Sequence, residues 1–271
     1  MEIESQSSNI ILFPKYEELK SEVKELRADL SKLYFEYDEL RFVICPNIEM
    51  QYMLALGALE YKLYETQCKM LRLKRKIELI QAKLNRQEKP DVSEIEEQLD
   101  EEFAEYQDLL EMQIEAMNEA LDRSKGKILS SEDRKELKTL YREIVKALHP
   151  DLNPDLSRAE IDLFANAVEA YKNADLNAIR IIAEMMGDGE LPDESDNALA
   201  YLTKERERLQ ALIDHIKEEI CIIKKCFPYN RRDIIKDSAK IEKKKQKFKR
   251  HQKLYEEKIE LYKAKIAEML E

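Results

Sequence analysis

Residues 131–157 read SEDRKELKTLYREIVKALHPDLNPDLS, and this stretch decides the fold of the middle of the chain. Ser131 is suited to cap a helix that runs to Leu148. At ~100° per residue, Leu137, Leu140, Tyr141, Ile144 and Leu148 share one face, while Lys135, Lys138, Arg142 and Lys146 lie roughly opposite. The helix therefore has a core side and a cationic side. It ends at His149, because the residue before a proline is pushed out of α geometry. Pro150 and Pro154 stiffen the loop that carries Asp151. Ser157 and Glu160 form a capping box for the next helix, which places Ile161, Phe164, Val168 and Tyr171 on one face. Asp175 is positioned to cap a further short helix through Ile182 to Met186, closed by Gly187.

Heptad seams lie on both sides of this segment. Leu12, Tyr16, Leu19, Val23, Leu26, Leu30, Leu33, Tyr37, Leu40 and Ile44 follow one another at steps of four and three, the pattern of a left-handed coiled coil. Pro14 suits a first helical turn, and Pro46 is expected to stop the helix. Asn47 would cap a second helix, whose seam holds Leu59, Leu63, Thr66, Met70, Leu73, Ile77, Ile80 and Leu84. A short connection favours antiparallel neighbours, so residues 14–89 are expected to form a helical hairpin after a flexible segment 1–13. Lys89-Pro90 breaks the chain. Ser93 with Glu96 signals the start of an acidic helix running to about Lys125, with Gly126 at its end.

Residues 188–197 read as a linker. A second hairpin over 198–271 is expected beyond it. Its seams are Leu199, Leu202, Leu209, Ile213, Ile216, Ile220 and Ile223, then Ile234, Ile241, Phe248, Tyr255, Ile259, Tyr262, Ile266 and Met269. Phe227-Pro228-Tyr229 makes the turn, and Asn230 would be the cap. Lys76-Ile77-Glu78-Leu79 recurs as Lys258-Ile259-Glu260-Leu261, through duplication or through convergence in a Lys/Glu/Leu-rich coil.

Composition agrees with a helical chain. Charged residues make up 38% and hydrophobic ones 44%, with 4 glycines and no tryptophan, a mix suited to long helices rather than sheets. The net charge of −11 is uneven. Residues 91–122 hold thirteen acids and no Lys or Arg, and residues 224–253 hold thirteen bases against Asp233, Asp237 and Glu242. Such blocks form solvated helix faces or steer partners, and these two could also pair with each other. Cys45, Cys68, Cys221 and Cys226 lack zinc-site spacing and suggest no disulfide framework. The acidic N-terminus is unlike a secretory signal, and no apolar run is expected to span a bilayer. A reducing, cytoplasmic setting follows as the expectation, with no metal and no cofactor.

Leu140-Tyr141-Arg142-Glu143-Ile144 leading into Leu148-His149-Pro150-Asp151-Leu152-Asn153 resembles the second helix and loop of DnaJ-like J-domains. Phe164 and Glu169-Ala170-Tyr171 resemble the third helix. The likeness covers residues 126–187 of the 271 in the chain. The family's first-helix Tyr-Leu-Gly signature is represented only by Gly126, and Glu143 and Leu152 stand where the family often carries basic residues. Seams and resemblance together give an all-α protein: a J-domain-like helical module, which the resemblance implies, fused to the acidic helix (91–187) and flanked by two long antiparallel coiled-coil hairpins, which the seams predict.

It also implies a function. Lys135, Lys138, Arg142 and Lys146 would dock on an acidic surface of a DnaK-type ATP-driven chaperone. His149, Pro150 and Asp151, exposed at the loop, would contact its ATPase domain near the interdomain linker and favour ATP hydrolysis. Leu137, Tyr141, Ile144, Leu148, Phe164, Val168 and Tyr171 would form the module core, and the coils would select a protein client or site, in one chain or as a homodimer. His149 and Asp151 have no nucleophile, orienting group or Gly-rich phosphate loop beside them, so an enzyme is not expected. Two rival readings are a coiled-coil scaffold with a J-like packing module, and a nucleic-acid or ribosome binder acting through the basic run 240–253. Phe248 and Tyr255 fall on seam positions and offer no base-stacking platform, so nucleic acid is not an expected partner of the leading reading.

Overall fold

The computed structural model describes residues 7–126, 129–186 and 198–271, and every regular element among them is a helix. Residues 1–6, Gly187 and the linker 188–197 lie outside the described residues, as does the side chain of Leu12. The chain is helical from Ser7, so residues 7–13 are part of the first helix and Pro14 is inside it. In order the helices are α1 (Ser7–Asp38), α2 (Cys45–Tyr52), α3 (Ala58–Asn85), α4 (Val92–Glu102), α5 (Ala104–Lys125), α6 (Ser131–Leu148), α7 (Arg158–Lys172), α8 (Leu176–Met185), α9 (Ala198–Lys225), the short α10 (Arg232–Ile235) and α11 (Ser238–Leu270). The chain divides into two compact units, Met1–Pro46 with Lys127–Tyr229, and Asn47–Gly126 with Asn230–Glu271.

The expected turn at Pro46 is absent. Residues 39–44 and 53–57 are π-helical and join α1, α2 and α3 without a break. The Cys45 N–H donates to the Leu40 carbonyl, five residues back. A π turn widens the backbone just ahead of the proline, which relieves the clash and the missing donor that a proline brings to an α-helix. The stretch between Arg41 and Glu60 carries one charge, Glu49. It makes Tyr16–Asn85 long and apolar enough to cross a membrane by length and composition, with a mean hydropathy of 1.3 over 18 residues. That corrects the expectation of no such run. Tyr52 and Leu56 in this stretch are buried by packing.

Neither expected hairpin forms. In the first unit α1 pairs with α9. Glu22 meets Arg206 at 3.6 Å and Glu36 meets Lys224 at 2.6 Å, so the two helices run parallel. Val23 and Leu30 of α1, with Leu209, Ile213, Ile216 and Ile220 of α9, are buried as the seams require. In the second unit α3 pairs with α11, which brings the helices carrying the repeated Lys-Ile-Glu-Leu segments together. Tyr52 lies beside Lys244 at one end, and Ile77 and Ile80 share a cluster with Ile266 at the other, so this pair is parallel too. A heptad seam specifies that a helix has a partner; it does not say which helix that partner is.

Several caps differ from expectation by a residue or more. Asp91 rather than Ser93 caps α4, accepting from the Ser93 and Glu94 N–H groups. Ser130 rather than Ser131 caps α6, and Asp237 rather than Asn230 caps α11. The acidic helix is broken at Phe103 into α4 and α5. The charge of α4 is answered by α3: Glu96 takes Arg72 and Lys76, Glu94 takes Lys83, and Glu102 takes Arg75.

Gly57 permits a close approach within the second unit. A Cβ there would meet Met117 Cε at 2.5 Å and Met53 Sδ at 3.1 Å. Both are ends of flexible side chains, and alanine recovers about 1 kcal/mol of helix propensity over glycine. Gly57→Ala should therefore leave the unfolding free energy from urea titration within about 1 kcal/mol of the parent, because rearrangement of the methionines offsets the gain.

Candidate functional site around the His149-Pro150-Asp151 loop

The α6–α7 pair forms as the periodicities require. Leu137, Tyr141, Ile144 and Leu148 on α6 and Tyr171 on α7 are buried, and Phe164 and Val168 are half-buried against them. Ile161 is exposed instead, at 42%. Val145, Leu152, Ala167 and Ile179 complete this core. The Tyr141 and Tyr171 rings stack at 4.0 Å, and His149 meets Phe164 edge-on at 5.0 Å, so the two helices are antiparallel. The Tyr141 hydroxyl donates to Asp38 at 2.7 Å, and burial pushes both of these groups upward in pKa. Ser157 and Glu160 make the expected capping box, and Asp175 caps α8.

The loop is built tightly. His149 closes α6 by donating its N–H to the Val145 carbonyl at 3.1 Å. Asn153 then donates through Nδ2 to the Lys146 and Ala147 carbonyls at 3.1 and 2.9 Å, satisfying acceptors that a helix end leaves open. Leu152 is 2% exposed. Its apolar character is explained by packing, since a basic side chain at that position would bury a charge.

The loop does not project freely into solvent, contrary to expectation. His149, Pro150 and Asp151 are each half-buried. The Tyr34 ring of α1 stacks on the His149 imidazole with centroids 3.7 Å apart. The Tyr34 hydroxyl donates a hydrogen bond to Asp151 Oδ2. From α9, Arg208 donates to the Asp151 carbonyl at 2.9 Å. Arg208 is held by the buried Glu205, which also takes Arg27 at 2.9 Å. Hydrogen bonding from Arg208 holds the Glu205 carboxyl below its ordinary range, despite burial. The flank is divided as well. Lys138 pairs with Glu39, and the Arg142 guanidinium lies over Phe35 at 4.2 Å. Lys135 and Lys146 are exposed.

The imidazole is neutral in this setting. The Asp151 N–H donates to His149 Nδ1 at 3.2 Å, which leaves the proton on Nε2. Burial depresses the His149 pKa from 6.5 to about 4, against the opposing pull of Asp151. A histidine whose folded pKa lies below its unfolded one contributes stability that is full above the unfolded value and lost as pH falls toward the folded one. Urea midpoints should therefore drop between pH 6.5 and about 4, and the drop should be smaller in His149→Gln. Asp38, shifted upward, acts in the opposite direction in both proteins and cancels from the difference.

No protein-family model matches the chain. No curated protein and no solved structure matches it either. The site therefore rests on its own geometry: a two-helix finger, a neutral histidine, a carboxylate, and a cover made by α1 and α9. The seam pattern missed Tyr34 and Arg208, because both fall off the strict four-three spacing. Their only signal was an aromatic and a cation set directly beside seam positions Leu33 and Leu209.

Proposed function

We propose that the chain is a co-chaperone that docks on a DnaK-type ATP-driven chaperone and stimulates its ATP hydrolysis. The observation that carries this reading is the antiparallel α6–α7 pair with His149-Pro150-Asp151 on its connecting loop. Lys135 and Lys146 offer cations for steering to an acidic surface, and Lys138 and Arg142 join them once freed from Glu39 and Phe35. A loop stiffened by two prolines loses little freedom on binding. The α1–α9 and α3–α11 pairs then act as the adaptor that selects a client or site. Because Tyr34 and Arg208 occupy the loop, docking requires α1 and α9 to draw back from it.

That same cover favours a second reading, in which the finger is a packing unit of a coiled-coil scaffold. Steady-state ATP hydrolysis by candidate chaperones separates the two. Stimulation that vanishes in His149→Gln supports the co-chaperone. No stimulation, even after Tyr34 is removed to uncover the loop, supports the scaffold.

A further inference from the structure

The basic run at the start of α11 has little counter-charge within its own unit. Residues 240–253 hold eight Lys or Arg and one acid, Glu242. Among the described residues the run makes one ion pair, Lys240 with Asp237 at 3.9 Å. The expected pairing with the acidic block 91–122 is not seen among the described residues: the acids of α4 are turned to α3, and Asp122 of α5 meets Lys125 of its own helix. Like charges three and four residues apart on a helix repel, so this arrangement opposes folding unless something outside the chain answers it.

The geometry gathers the charges further. Lys240, Lys243, Lys244, Lys247, Arg250 and His251 follow one another at helical spacing and, with Ile234, line an open groove of about 670 Å³. Lys244 is half-buried over the Tyr52 and Phe248 rings. Burial and the nearby Arg231 pull its pKa below the ordinary lysine range, with Lys247 adding to the effect and Glu60 opposing it. The Arg231 Nε is buried and makes no hydrogen bond. Cations brought together on one open face make a site for an anion.

We propose that this face of α11 binds the phosphodiester backbone of a nucleic acid without reading its sequence. From Lys240 to His251 the helix rises about 16 Å, with a cation on this face at every turn. A nucleic acid supplies anions at matching density, one for each ~1.7 Å of duplex. The exposed large apolar side chains of α11, Leu254, Leu261 and Leu270, all come after the cationic stretch, too widely spaced to form the continuous apolar face that an interfacial membrane helix inserts. α11 is paired with α3, and a two-helix pair is wider than the ~12 Å major groove, so the contacts are to backbone. Lys244 already covers the Tyr52 and Phe248 rings, which excludes base stacking on them. The proposal does not depend on the chaperone reading.

The test is fluorescence anisotropy of the full chain with a mixed-sequence single-stranded RNA and its duplex, over a range of salt. Five cations predict a log K against log[salt] slope of about −3 to −5. Lys243→Glu with Lys247→Glu should weaken binding at least about tenfold and flatten the slope by about two. Lys249→Glu with Lys253→Glu makes the same change in net charge off the groove face, and should stay within about threefold of the parent. Circular dichroism confirms that both variants keep their helices. Three results would overturn the proposal: salt-insensitive or absent binding to both RNAs, equal loss in the two double variants, or tighter binding to phosphatidylglycerol vesicles or polyglutamate than to RNA.

Discussion

Replacing His149 with glutamine is expected to abolish the stimulation of a cognate DnaK-type ATPase while leaving the helices intact. Glutamine is polar and close in length, but it has no ring. In the folded chain it gives up the stack on Tyr34 and the edge contact with Phe164, each an aromatic contact of about 0.5–1.5 kcal/mol beyond area burial. The core beneath is untouched, since Tyr141, Ile144, Leu148 and Tyr171 pack without His149. Loss of stimulation with an unchanged far-ultraviolet spectrum would place the imidazole in the docking contact. Stimulation that survives in His149→Gln would show that the loop is not what the chaperone recognises.

Tyr34→Ala should act in the opposite direction and lower the protein concentration needed for half-maximal stimulation by about tenfold or more. Tyr34 contributes a ring stack on His149 and a hydroxyl donor to Asp151. A stack of about 0.5–1.5 kcal/mol and a hydrogen bond to a carboxylate of about 1.5–3 kcal/mol together favour the covered loop by roughly 2–4 kcal/mol. The half-exposed setting argues for the lower end of that range, which still shifts the covered-to-open ratio by more than about tenfold. Tyr34→Phe keeps the ring and removes only the donor, so it should fall between parent and alanine. His149 reports the same change by nuclear magnetic resonance: with the ring gone, its pKa should rise from about 4 toward 6.5. A His149 that titrates unchanged in Tyr34→Ala would mean that Tyr34 does not cover it.

Local features of the finger were legible in the sequence because they depend on near neighbours. Ser157 finds Glu160 three residues on, Asp175 finds the Ala178 N–H, and Pro150 ends the helix before it. The core of α6 followed from its period. The coils were legible as faces but not as pairs. Val23, Leu30, Leu209 and Ile216 are buried as their seams predict, yet α1 runs parallel to α9 and not back along the helix that follows it. Pro46 misled for a related reason. A proline disfavours the α-helix locally, and the π turn at 39–44 restores continuity.

The sequence alone determined that the chain is helical, that its helices carry one apolar face each, and that a histidine and a carboxylate sit on a stiff loop between two of them. These follow from periodicity, capping and proline stereochemistry, which act over a few residues. Tertiary structure decided which helices meet, that Tyr34 and Arg208 close over His149 and Asp151, and that the acidic α4 spends its charge on α3 while the basic face of α11 keeps its own. Those outcomes depend on contacts between residues far apart in the chain. Apolar seams and charge blocks allow many such pairings, and only the fully packed fold selects among them.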